Sequence, residues 1–235
     1  MVKAPQIRTA LGAALAAALG VPAFAQDRFD LPADCAAYVS IQSRDCTVSH
    51  LFTCESDAEG HQHRVDFDRD GMTYLGEIDG ETQWISSYSP RSGSTATLLS
   101  GAADPASFSE LLARGLDGFD FSTISNVFGE THHVGEDRLT GEVEVIDGVS
   151  LQVTNFVATA YDSGGAVIYR SEGQEYINAD WRTFIGGLRI VTVDGAASET
   201  DGRPAAFDFP GDAGFLTTRP QFGCDTVLSM LEARP

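Results

Sequence analysis

Long apolar runs are scarce in this chain, positive charge is scarcer still, and the short signatures of the common enzyme chemistries are missing. After the opening residues no apolar run approaches the ~20 residues that a membrane-spanning helix needs, which excludes a transmembrane helix from the mature chain. Lys and Arg number 15 against 34 Asp and Glu, so the surface repels nucleic acid and anionic lipid headgroups. There is no G-x-S-x-G elbow, no H-E-x-x-H, no phosphate-binding glycine loop and no papain-like cysteine context. The cysteines offer no C-x2-C spacing for a structural metal. Together these absences point away from an enzyme and towards a binding or structural role.

What is present begins with Lys3 and Arg8, the apolar run Ala10 to Val21, and Ala23-Phe24-Ala25. This is the pattern of a secretory signal peptide over residues 1–25. Cleavage would leave a single periplasmic or secreted domain, 26–235, with no cysteine at its start to carry a lipid anchor. It removes two of the 15 basic residues and none of the 34 acidic ones, so the mature formal charge is −21. The 43% apolar content rules out general disorder.

Cys35, Cys46, Cys54 and Cys224 all survive cleavage, and an even number in an exported chain predicts two disulfides. If Cys46 to Cys54 is one extended strand, its ends lie about 26 Å apart at ~3.3 Å per residue, beyond disulfide reach. Cys224 is then bonded to Cys46 or to Cys54, and the sequence leaves that choice open.

Alternation and turn chemistry predict an α+β fold: a long curved antiparallel sheet, laid out as a meander, with a few helices packed on one face. Strands are expected over 46–55, 61–68, 72–78, 81–88 and 94–100, and again over 127–134, 139–146, 149–161, 167–177 and 188–193. Six Asp-Gly pairs act as turn signals, with Asp79-Gly80 suited to a type I′ hairpin. Helices are expected over 35–42, from Asp104-Pro105 to Gly115 or Gly118, as a turn at 178–180, and over 225–232; 120–126 reads as a turn of helix and 196–220 as loop.

Asp66 to Glu77 matches the calcium-loop pattern D-x-D-x-D-G-x5-E, which would place oxygens of Asp66, Asp68, Asp70 and Glu77 around an ion. Against it, strand alternation precedes the match and Asp79-Gly80 follows before an exit helix could form. The bland reading is an acidic hairpin. His61 with His63, and His132 with His133, offer imidazoles but no sequence reason to meet.

The stretch Leu75 to Leu112, with Ile78 to Pro90 reading I-D-G-E-T-Q-W-I-S-S-Y-S-P and Asp104 to Leu112 reading D-P-A-S-F-S-E-L-L, resembles the middle of LolA-like periplasmic lipoprotein carriers. The resemblance implies a curved sheet closed by helices that shelters acyl chains. Ser86 to Pro90 holds one residue more than the family's hairpin, and the four cysteines and strong acidity also depart from it. The resulting expectation is a non-enzymatic carrier of an apolar small molecule, lipid or lipoprotein. Its cavity would be lined by Trp84, Tyr88, Phe108, Leu111, Leu112 and Phe156 and would need no cofactor. The alternatives are a calcium-stabilised secreted structural or interaction protein, and a periplasmic enzyme.

Overall fold

The structure, a computed structural model, describes residues 28–224; the expected signal segment and the terminal helix over 225–232 lie outside them. Its first correction concerns fold class. The described residues are nearly all β, with fourteen strands and a single seven-residue helix, so the α+β expectation fails. The strands are β1 (Cys35–Ser43), β2 (Thr47–Cys54), β3 (Gln62–Asp68), β4 (Gly71–Ile78), β5 (Trp84–Ser89), β6 (Ser94–Leu98), β7 (Leu116–Ser125) and β8 (Gly129–Ile146). They continue as β9 (Val149–Asp162), β10 (Val167–Asn178), β11 (Thr183–Ile185), β12 (Leu188–Val193), β13 (Ala196–Asp201) and β14 (Pro204–Asp208), with α1 (Phe108–Arg114) between β6 and β7.

Each misreading has a physical cause. In β1, Val39 and Ile41 enter one core while Ser40 and Gln42 are also buried on the opposite face, so no half-solvated alternation shows in the letters. β7 buries Asp117, Phe119, Phe121, Thr123 and Ser125 at period two, but its polar inward positions and internal Asp117-Gly118 hide the strand. The expected strands over 127–134 and 139–146 are one: β8 runs through Glu136 and Asp137 and bends later at a bulge between Leu139 and Val143, where Gly141 takes a φ of 85°. β13 is exposed over most of its length and β14 opens with a proline, whose missing N–H is tolerated at a strand's first residue, so neither looks like a strand in sequence. The true type I′-like corners, with both residues at positive φ, are Asp147-Gly148 and Asp194-Gly195. Asp79-Gly80 instead belongs to a wider turn in which Asp79 donates its N–H to Gln83 and Thr82 takes φ 67°.

α1 starts later than Asp104-Pro105 suggests. Ser107 caps it, its hydroxyl accepting from the Glu110 N–H, and Gly115 ends it at φ 76°. Asp104 is occupied elsewhere, bridged to Asp120 by reciprocal backbone hydrogen bonds.

β1 to β10 form an uninterrupted antiparallel meander; β12 and β13 extend it past β10, and β14 adds beside β1. β13 and β14 therefore stand at opposite ends of the strand order, yet only Gly202 and Arg203 separate them. Three Cα steps span at most about 11 Å. The two ends of the sheet must meet there, and the sheet is rolled. The Arg44 N–H donating to the Arg203 carbonyl and the Gly202 N–H donating to the Gly187 carbonyl hold this corner.

Rolling produces the main core, in which Val39, Ile41, Leu51 and Phe207 from one end of the strand order pack with Leu151, Val153, Tyr176 and Ile185 from the other. A second cluster, Val48, Phe52, Val65 and Phe67, lies on the other face of β2 and β3 under Phe29 and Leu31. The segment after β14 covers β1, where Ser40 Oγ accepts from the Leu216 N–H and Gln42 Oε1 from that of Gln221. One end of the roll is closed by Arg182, which donates to the Gly80 carbonyl, Glu81 and Ser109 Oγ.

The disulfides settle what spacing left open: Cys35 pairs with Cys54, directly opposite it on β2, and Cys46 pairs with Cys224.

Candidate functional site

The site grows from β3, whose Arg64 and Asp66 point the same way because they are two residues apart on a strand. Arg64 Nε and Nη2 donate to the two Asp66 carboxylate oxygens at 2.7 and 2.6 Å, a bidentate pair in which the Asp66 side chain is only 8% exposed. Across the ladder Asp66 faces Tyr74 and Arg64 faces Gly76. Gly76 makes room there: a Cβ would stand 2.2 Å from the Tyr74 hydroxyl, and the Tyr74 ring lies over the glycine with the Arg64 guanidinium 5.8 Å from its centroid.

The opposite wall comes from the far end of the strand order. Glu175 on β10 and Arg189 on β12 join Asp45, Arg64, Ser49 and Thr200 around a cavity of about 110 Å3, with Ile41, Leu51, Phe184 and Ile185 as its apolar walls. Gly187 lets β12 approach β10, since a Cβ there would stand 2.0 Å from the Gln174 carbonyl. One cross-strand row, Asp117, Asp137, Phe156, Gly173 and Arg189, runs towards the same corner.

Burial pushes the Glu175 carboxyl up to about 7, with Arg189 and Arg64 pulling against it. Burial, then the neighbouring Glu175, Asp117 and Glu136, pushes Asp137 up to about 8. Asp45 is raised by burial too, with a hydrogen bond from Thr47 opposing. A fixed arginine-aspartate pair beside carboxyls that change charge near neutrality can hold a cation or a proton, which is the pattern of a functional site.

Glu175 has a folded value above its unfolded one, near 4.5, so its favourable contribution is present below that pH and is lost as pH rises through about 7. Glu175→Gln is expected to raise unfolding free energy by ~1–2 kcal/mol at about pH 8, a figure reduced from the full shift because the carboxyl opens on the cavity, and to give no gain near pH 4. Urea unfolding at the two pH values checks this.

The residues singled out from sequence are dispersed. Phe108, Leu111 and Leu112 do meet, but under α1 against Ile177, Leu139 and Phe184, with Phe108 and Leu111 essentially without exposure. Trp84 and Tyr88 are 45% and 38% exposed, Trp84 lying edge-on to Phe121 and His133. Phe156 sits between Asp137 and Gly173. The four calcium candidates are likewise separated. Asp66 is engaged by Arg64, Asp68 and Asp70 lie beside Arg91, and Glu77 contacts His61 and Ser86. The hairpin explains this, because Glu77 lies six residues along β4 from Gly71 in the turn, roughly 20 Å at ~3.3 Å per residue.

The histidine pairs also part company. His63 bonds Asp57 at 2.7 Å and stacks on Phe52, while His61 bonds Glu77. His132 bonds Asp120 on one face of β8, and His133 bonds Thr123 on the other, where burial pushes it down to about 4. Cys54, Asp57 and His63 cluster closely enough for a metal, but the Cys54 sulfur is committed to its disulfide and is no thiolate ligand.

No protein-family model, curated protein or solved structure matches this chain. The site therefore rests on its own geometry. Two disulfides, with no described helix long and apolar enough to cross a membrane, are consistent with an exported protein.

Glu175, Arg189, Asp45 and Asp137 carry no site signal in the sequence, where a charged residue on an alternating strand reads as solvated. The available signal was parity. Arg64 and Asp66 share a face opposite Val65 and Phe67, and covering both faces of β3 made that polar face internal.

Proposed function

We propose that this chain is a non-enzymatic binding protein of the periplasm or the extracellular space that holds a small amphipathic cation, such as a primary amine, in the cavity between β3 and β10. The observation carrying this reading is the lining. Glu175 and Asp45 are carboxyls shifted up by burial and in no salt bridge among the described residues, beside Arg64, which Asp66 neutralises, and Arg189, which only partly opposes the shift of Glu175. Ile41, Leu51 and Phe184 supply an apolar wall for the rest of the ligand.

Size argues against an acyl chain at this position. A cavity of about 110 Å3 falls well below the ~300 Å3 at which drug-sized sites begin. The carrier role suggested by the likeness to lipoprotein carriers is retained here, with a smaller and charged cargo in place of lipid.

The test is calorimetric titration with n-butylamine, putrescine, butyrate and palmitate near pH 8 and pH 5. An amine is expected to bind at the higher pH, weaken at the lower as Glu175 protonates, and lose binding in Glu175→Gln, a variant that stays folded near pH 8 by the stability expectation above. Absence of amine binding, or binding of palmitate alone, overturns the proposal.

A further inference from the structure

A second concavity lies on β7, β8 and β9, on the residues that alternate with a buried cross-strand row. Along β7, β8 and β9 the register sets Phe121, His133 and Ala160 in one cross-strand row, all buried, and Ser122, His132 and Tyr161 in the next. Strand alternation sends that second row outward. There Ser122, Glu130, His132, Tyr161 and Asp162 line an open groove of about 510 Å3, within the 300–1,000 Å3 range of small-molecule sites.

Its parts are held in place. His132 Nε2 and the Asp120 carboxylate are 2.7 Å apart, fixing the imidazole, whose ring centroid lies 5.9 Å from that of Tyr161. Asp162 Oδ1 accepts from the N–H groups of Gly164 and Ala166, both at 2.9 Å, which pins the β9–β10 turn as the groove's end wall. The wall is thus preformed and loses little freedom on binding.

The chemistry of the lining selects a ligand. The groove carries aromatic surface, three hydroxyls that donate or accept, an oriented imidazole and two carboxylates, and no arginine or lysine among the described residues. With nothing to pair an anion in a strongly acidic protein, phosphates, sulfates and uronates are disfavoured. A wholly apolar ligand would leave those polar groups without partners. What fits is a ligand with a dense array of neutral hydroxyls and a C–H face to lay on an aromatic ring. We infer that the groove between Tyr161 and Ser122 is a binding site for a neutral saccharide, separate from the cavity at Arg64 and Glu175. The groove is open along its length, so it suits part of a glycan chain better than an enclosed monosaccharide.

The experiment uses the full chain with maltotetraose, cellotetraose and chitotetraose as neutral probes, and spermidine and a sulfated heparin tetrasaccharide as charged ones, read by saturation-transfer NMR and calorimetry. At least one neutral tetrasaccharide is expected to bind saturably, to lose about tenfold or more in affinity in Tyr161→Ala, and to keep it within about threefold in Tyr161→Phe, which preserves the ring. Ser122→Ala should weaken it less, and Glu175→Gln not at all, so failure of the amine proposal leaves this one standing. No binding of any neutral probe at about 10 mM overturns the inference, since even weak sites near 1 mM would saturate. Saccharide affinity unchanged in a folded Tyr161→Ala protein, or binding confined to spermidine, overturns it too.

Discussion

Replacing both Cys46 and Cys224 by serine is expected to lower unfolding free energy by about 5 kcal/mol, against about 3 kcal/mol for removing Cys35 and Cys54 together. The bridges close loops of very different length, with separations of 178 and 19 residues, and loop-closure entropy in the unfolded chain grows with the logarithm of that length. The long bridge also clamps the segment after β14, whose backbone serves Ser40 and Gln42 on the otherwise uncovered face of β1. The short bridge joins residues already opposite each other in a ladder. Since whole domains are stable by only ~5–15 kcal/mol, the first variant should be at the edge of folding. Denaturant unfolding of the two double variants decides the matter; a larger loss from the Cys35 and Cys54 pair would contradict the loop-length argument.

The second large effect is at Arg64. Arg64→Met is expected to cost about 3 kcal/mol, because it leaves the Asp66 carboxylate, 8% exposed, without its two charge-assisted hydrogen bonds. The figure is taken at the low end for a buried pair because the Arg64 side chain opens on the cavity and remains partly hydrated. Arg64→Met combined with Asp66→Leu should recover most of the loss, since a vacated pair can be filled by apolar groups while a lone charge cannot. The double-mutant cycle, measured by denaturation, should return a coupling of ~2–3 kcal/mol. Additive losses would show that the two side chains act independently and would remove the pair from the account of the cavity.

The elements most legible in the sequence were those with one covered face or a strong corner. β2 to β6 fall where Phe52, Val65 and Phe67 alternate and where glycine or proline turns the chain. Illegible were the strands whose burial comes from distant chain. β1 resembles a helix start because Pro32 and Asp34 precede it, and nothing local says that β2, β14 and the carboxyl-terminal segment will surround it. β7 and β8 carry Asp117 and Asp137 inward, against the rule that carboxylates face water. The cavity was hidden for the same reason: its residues lie on β3, β10 and β12, and only rolling the sheet brings them together. The calcium pattern lies in a hairpin, where the twelve residues that match it letter for letter are spread along two strands.

The junction at Gly202 and Arg203 also bears on the order of folding. β1 pairs with β2 at short range but with β14 across most of the chain, Ser40 standing opposite Asp208. Contacts so remote in sequence are costly to close and form late. Until the last strand arrives, β1 keeps an unpaired edge, and Val39 and Ile41 wait for a core that needs Phe207 as well as Leu151. A free edge beside exposed branched side chains is a template for pairing with another molecule. Closure at Gly202 and Arg203 is thus also the step that removes that edge.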